Sequence, residues 1–174
     1  MTDKYGKTVE RALNILAYSP NTEKQLVRKL REKGAAEEDI SAAVAYLKKK
    51  GYLDEEEYLR RFVALQGKTY GRRRVYAAAR AKGFSDEVLN RCFDEACADV
   101  DFSAACLKQI RAKCRGGRLF AEDDGNGGGD SDDGDGAGGR RRPDREALRK
   151  LTASLMRAGF DTDTIREALR EYLA

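Results

Sequence analysis

Apolar positions recur along this chain in one register around three glycines, Gly34, Gly83 and Gly159. Eight, seven and four residues before each glycine stand Leu26, Val27 and Leu30, then Val75, Tyr76 and Ala79, then Leu151, Thr152 and Leu155. Six, nine, ten and thirteen residues after it come Ile40, Ala43, Val44 and Leu47, then Leu89, Cys92, Phe93 and Ala96, then Ile165, Ala168, Leu169 and Tyr172. Such offsets put the apolar side chains on one face of each of two helices, and the glycine marks the break between them. Written three times, the pattern predicts an all-α fold built as a tandem array of one small unit.

Nine helical segments follow from the periodicity and the stop signals. The first, about 8–18, carries Val9, Leu13 and Leu16 and ends at Ser19-Pro20, because proline cannot continue a helix. Thr22 to Gln25 reads as a capping box for the second, which stops at Lys33-Gly34. The third spans about 37–50 and stops at Gly51; the fourth, about 54–66, opens with Asp54 and three glutamates. Gly71 and Gly83 bracket the fifth, Ser85 is the N-cap expected for the sixth, and the seventh occupies about 101–115. The eighth and ninth cover about 144–158 and 162–173.

Between the seventh and eighth segments, residues 121–139 hold eight glycines and seven acidic residues. Nothing there offsets the entropy of ordering, so a disordered insert is expected at about 121–143. Its aspartates match no twelve-residue calcium loop with a closing glutamate. Removing it makes the spacing of the three glycines nearly constant. The predicted units are 1–53, 54–100 and 101–174, the last carrying the insert. A unit of this size buries its apolar faces poorly alone, so the three are expected to stack into an elongated, curved array with a long groove-sized surface.

Charge narrows the function classes. Lys and Arg number 34 against 30 Asp and Glu, but seven of those carboxylates lie in the insert, so the body is distinctly basic and an anionic partner is expected. No apolar run is long enough for a membrane span and the polar start is not a signal sequence, which makes the cytoplasm the expected compartment. Cys92, Cys97, Cys106 and Cys114 match no zinc spacing; Phe102, Cys106, Ile110 and Cys114 instead share a helical face, the pattern of small buried thiols. With no histidine, histidine-dependent catalysis is excluded. Gly6-Lys7-Thr8 and Gly67-Lys68-Thr69 resemble the end of a P-loop, yet the required earlier glycine is Met1 or Phe62. No catalytic residue, cofactor or metal is expected.

The basic clusters differ in kind. Lys48, Lys49 and Lys50 sit at a helix C-terminus, where partial negative charge accounts for them. Arg72, Arg73 and Arg74 instead open a helix, against partial positive charge, where a stability argument asks for acids. Free backbone N–H groups after Gly71 together with three guanidinium groups would make a phosphate cradle. Lys68 and Tyr70 flank it, the tyrosine as a stacking ring or as packing against a neighbouring helix, and Arg80 and Lys82 follow on the same helix. A second run comprises Lys108, Arg111, Lys113, Arg115 and Arg118; Arg140, Arg141 and Arg142 close the insert.

Lys50-Gly51-Tyr52-Leu53-Asp54 with Glu55, Glu56, Tyr58 and Phe62, followed by Gly71-Arg72-Arg73-Arg74-Val75 and Lys82-Gly83-Phe84, resembles the bacterial RecX family. The opening Ala12-Leu13-Asn14-Ile15-Leu16-Ala17, Leu30 to Gly34, and the closing Leu155-Met156-Arg157-Ala158-Gly159-Phe160 fit the same family. The insert departs from the family pattern. The resemblance implies a non-enzymatic regulator of three three-helix repeats, which binds RecA and the RecA–DNA filament and limits its ATPase and strand exchange. It also implies affinity for single- and double-stranded DNA without strong sequence preference, and a monomer is expected. Carried onto this chain, the DNA- and RecA-binding residues would be Lys68, Tyr70, Arg72, Arg73, Arg74, Arg80 and Lys82, with Lys108, Arg111 and Lys113.

Two other readings compete. A helix-turn-helix-like transcription regulator shares the three-helix outline, but the third and sixth helices begin with Glu37-Glu38-Asp39 and Asp86-Glu87, which repel phosphate. A helical scaffold for an acidic protein would use the same basic surface without DNA.

Overall fold

The computed structural model describes residues 2–115 and 144–174. Within them the chain forms nine helices and no strand: α1 (Thr2–Tyr18), α2 (Glu23–Glu32), α3 (Glu37–Lys49), α4 (Glu55–Gly67), α5 (Arg72–Lys82), α6 (Asp86–Ala98), α7 (Phe102–Lys113), α8 (Arg145–Arg157) and α9 (Thr162–Leu173). The expected insert at about 121–143, with Arg118, Arg140, Arg141 and Arg142, lies outside the described residues. The boundaries follow the sequence closely except at α1, which begins at Thr2 rather than near residue 8. Its first turns are polar, and polar turns carry no hydrophobic period from which to read a helix.

Local chemistry sets the ends. Thr22 and Gln25 form the reciprocal capping box, and Asp54, Ser85, Asp101, Asp144 and Asp161 each accept a first-turn amide through the side chain. Gly34, Gly51, Gly83 and Gly159 adopt φ of +75°, +73°, +96° and +90°, the left-handed region in which a β-carbon is strained.

The predicted faces are the buried ones. At the three positions before the repeat glycines the burial is the same in every copy: Leu26, Val75 and Leu151 buried; Val27, Tyr76 and Thr152 half-buried; Leu30, Ala79 and Leu155 buried. Three apolar clusters result. One joins Ala12, Leu26, Leu30, Ile40, Val44, Leu47 and Leu53; the second is centred on Leu59, Val63, Val75, Phe84, Leu89 and Phe93; the third on Cys106, Ile110, Leu155, Phe160 and Ile165. Full burial of each large aliphatic contributes about 1.5–3 kcal/mol. In every unit the first helix packs most extensively on the third: α1 on α3, α4 on α6, α7 on α9. Phe102 departs from its expected face. It sits in the first turn of α7, close to Gly67 and Val100, and packs against the second cluster rather than with Cys106 and Ile110.

Neighbouring units meet at helix termini. Between the first and second, the Glu55 carboxylate accepts the Glu23 backbone N–H at 2.7 Å and the Ser85 hydroxyl at 3.3 Å. Glu55 is only 8% exposed, and the positive ends of α2, α4 and α6 converge on it. Between the second and third, the Gly71 N–H donates to the Ala158 carbonyl at 2.9 Å, and the Arg73 N–H to the Gly159 carbonyl at 3.2 Å. Gln109 adds a side-chain bond to the Thr69 carbonyl at 2.5 Å.

Candidate nucleic-acid interface

The start of α5 explains why three arginines can stand where acids were expected. Gly71 offers no side-chain cap. Its amide and that of Arg73 bond instead to the carbonyls of Ala158 and Gly159, the two residues just past α8, so the negative end of one helix abuts the positive end of the other. This corrects the expected phosphate cradle: two of its backbone donors are already taken by Ala158 and Gly159. The guanidinium groups remain, without those amides.

Those groups do not form one patch. Arg72 turns toward α6, where it pairs with Asp94 at 2.5 Å and lies 5.9 Å from the centroid of the Phe93 ring. Arg74 points to the other flank and sits 4.1 Å above the Tyr70 ring, beside Gly159. Tyr70 is half-buried against the second core, and one face of its ring is covered by this guanidinium, so it holds Arg74 rather than standing free as a stacking platform. Arg73 is exposed and its side chain has no ion pair among the described residues. At about 100° per residue, Arg73 and Arg80 share one flank of α5, while Arg74 and Lys82 lie away from it.

The grooves sort the candidates differently from the sequence clusters. Arg72 and Arg73 line a shallow depression with Tyr76, Asn90 and Phe93, in which Tyr76 and Phe93 meet edge to face at 5.0 Å. Arg80 and Lys82 line the groove between the first and second units, opposite Lys24 and Arg28 of α2. Arg80 pairs there with Asp86 at 3.5 Å and Arg28 with Glu32 at 3.6 Å, while Lys24 and Lys82 pair with no carboxylate among the described residues. Lys68 and Lys108, forty residues apart, line one cleft between the second and third units, with Asp99 and Asp101 on its wall. Arg111 pairs at 3.9 Å with Glu171, and Lys113 is exposed at the end of α7. All these ion pairs lie at the surface, where each contributes about 0–1 kcal/mol and yields readily to a polyanion.

Sequence reasoning missed Lys24 and Arg28, which are spaced along α2 without forming a three-residue cluster and become part of a groove only when the second unit is placed. It also took Glu55 for a simple first-turn acid. Its burial had no local signal, because both partners are distant in sequence. Lys48, read as a complement to the α3 C-terminus, reaches the Glu23 carboxylate, and that hydrogen bond raises its pKa.

All four cysteines are free and buried. Burial, helped by the Asp161 carboxylate, pushes the Cys106 thiol up to about 11. No described helix is long and apolar enough to cross a membrane.

Comparisons with known proteins place this architecture. Residues 9–47 match the family model for the first three-helix domain of RecX. The chain is 31% identical over 120 residues to a regulatory protein RecX of Escherichia coli strain SE11, covering 63% of this chain and 71% of that protein. It has the same identity and coverage with the regulatory protein RecX of Shigella boydii serotype 18. Among solved structures, RecX from Lactobacillus salivarius superposes with a TM-score of 0.75 at 19% identity, over 98% of this chain and 97% of that one. A second crystal structure of a regulatory protein RecX gives 0.67, also at 19% identity, over 95% and 72%. The two structures establish the shared fold. The sequence identity, spread over more than two thirds of the relatives' length, establishes descent: the chain belongs to the RecX family of regulatory proteins.

Proposed function

We propose that this protein is a non-enzymatic regulator that binds RecA and the RecA–DNA filament, and that it mainly inhibits the recombinase ATPase and strand exchange. The observation that carries the reading is the distribution of cations along successive unit boundaries: Lys24 and Lys82 in one groove, Lys68 and Lys108 in the next. A repeating polyanion such as a nucleoprotein filament meets such an array at several points at once, so weak contacts add. Attachment is to phosphate and acidic surface, which positions the array without reading base sequence. Its consequence is steric: an array seated along the filament bridges neighbouring protomers and obstructs the incoming subunit or strand. The N-termini of α3 and α6 are acidic, and the arginines that reach them, Arg31 and Arg80, are paired with Glu37 and Asp86, so each makes a poor base-reading helix, which argues against a transcription regulator.

Titration of a labelled single strand, bare and coated with RecA, tests this reading. Binding to both is expected, and on the bare strand the log of the affinity should fall with log salt at a slope of about −0.7 for each phosphate neutralised. Affinity unchanged between low and moderate salt contradicts the electrostatic account. Binding to RecA that single-stranded DNA cannot displace, without any DNA affinity, favours the protein scaffold.

A further inference from the structure

Tyr18, the last residue of α1, is 94% exposed. A ring so placed contributes nothing to the first core, whose α1 contacts are made by Ala12, Leu13, Ile15 and Leu16. It stands beside a groove of about 380 Å³ whose other lining side chains include Arg11, Asn14, Ser19, Lys29 and Lys33. Three of these are cations, and none of the described residues that line the groove is a carboxylate. The grooves at the unit boundaries are unlike it, since each has aspartate or glutamate on its wall.

Lys29 and Arg11 are held by neutral groups, and none of the three cations pairs with a carboxylate among the described residues. Asn21, 5% exposed, donates to the Ser19 carbonyl at 2.5 Å and accepts the Lys29 ammonium at 2.6 Å. Arg11 donates to the Lys33 carbonyl at 3.4 Å, which fixes the end of α2 against α1. Lys33 is the C-cap of α2 and exposed. Helix-end electrostatics accounts for Lys33, but not for Arg11 in the middle of α1, nor for an aromatic ring in solvent.

We propose that this groove is a binding site for single-stranded nucleic acid, in which one base stacks on Tyr18 and the flanking phosphates lie on Arg11, Lys29 and Lys33. It rests on the DNA affinity proposed above and assigns that affinity a place in the first unit, away from α5. An unpaired strand fits because its bases expose their faces; in a duplex those faces are stacked on one another, and only the phosphates remain available. The site gives the protein a means of holding a strand outside the recombinase while the second and third units engage elsewhere.

The chain has no tryptophan, so Tyr18→Trp places its one indole at the site, where excitation beyond the tyrosine absorption band reads it alone. Exposure of this position leaves the fold unaffected, which circular dichroism checks. Oligothymidylate is expected to quench the emission saturably, whereas a duplex of equal length and inorganic polyphosphate leave it nearly unchanged. Tyr18→Ala should weaken oligothymidylate binding at least about fivefold, with Tyr18→Phe close to wild type. Arg11→Gln should lower the salt slope on single strands by about 0.7. Equal quenching by polyphosphate or duplex overturns the stacking. If the protein binds oligothymidylate with the emission unchanged and Tyr18→Ala as tight as wild type, the site is wrong while the proposed function stands. If it binds no oligothymidylate even at low salt, both this site and the DNA part of the proposed function fail.

Discussion

Gly71 and Gly159 meet backbone to backbone, so close that a β-carbon on Gly71 would overlap the Gly159 carbonyl and one on Gly159 would overlap the backbone of Arg74. The second and third units are joined by this contact, and two hydrogen bonds from α5 to the end of α8 depend on it. Gly159 is further restricted by φ of +90°.

Alanine at Gly159 is therefore expected to be more harmful than at Gly34, which has similar φ but open space around it. Gly34→Ala should destabilise by about 1–2 kcal/mol, the left-handed penalty alone. Gly159→Ala adds the overlap and should exceed it by about 1–3 kcal/mol. Urea denaturation of the two variants compares them; equal losses mean that the units do not meet in this way.

Glu55 makes a parallel prediction for the other boundary. Removing a buried acceptor leaves the Glu23 amide and the Ser85 hydroxyl without their partner, so Glu55→Ala should lose about 1–3 kcal/mol. Glu56→Ala, one residue on and more exposed, makes a surface pair with Arg91 and should lose less than about 1 kcal/mol. Thermal melts decide it, and similar losses at both positions would contradict the boundary role of Glu55.

The contrast between these residues shows what the sequence could convey. Leu26, Val75 and Leu151 are buried as their offsets require, because a helical face is a local property that periodicity records directly. Gly34 and Gly83 are likewise explained by the turns that they end. Gly71 was legible as a helix start, but not as the partner of Gly159, since no local pattern encodes a contact across 88 residues. The same limit applies to the candidate site. Arg72, Arg73 and Arg74 were found as a cluster, yet their helix sends them to different flanks, whereas Lys68 and Lys108 were read apart and share a cleft.

The Cys106 thiol offers a test of the third core and a pH dependence. Its folded pKa of about 11 lies above the ordinary 9.0, so burial contributes stability that is fully present below pH 9. It is lost as pH rises through about 11, because the unfolded thiol ionises first. Iodoacetamide should thus leave Cys106 unmodified in the native protein at pH 8 and modify it readily in urea. Rapid native modification, read by mass spectrometry of the peptide, contradicts the packing of α7.

Arg73 gives the sharpest test of the surface, because its guanidinium makes no ion pair among the described residues and charge reversal there leaves Arg72–Asp94 and Arg74–Tyr70 in place. Arg73→Glu should keep native helicity and bind filaments several-fold more weakly, as measured by co-sedimentation with RecA on single-stranded DNA. Affinity equal to wild type in the folded variant removes α5 from the interface.

The central claim is that this array regulates a recombinase filament, and ATP turnover by RecA on single-stranded DNA measures it most directly. Added protein is expected to lower the steady-state rate in a concentration-dependent way. A rate that stays unchanged with the protein equimolar to RecA would contradict the account.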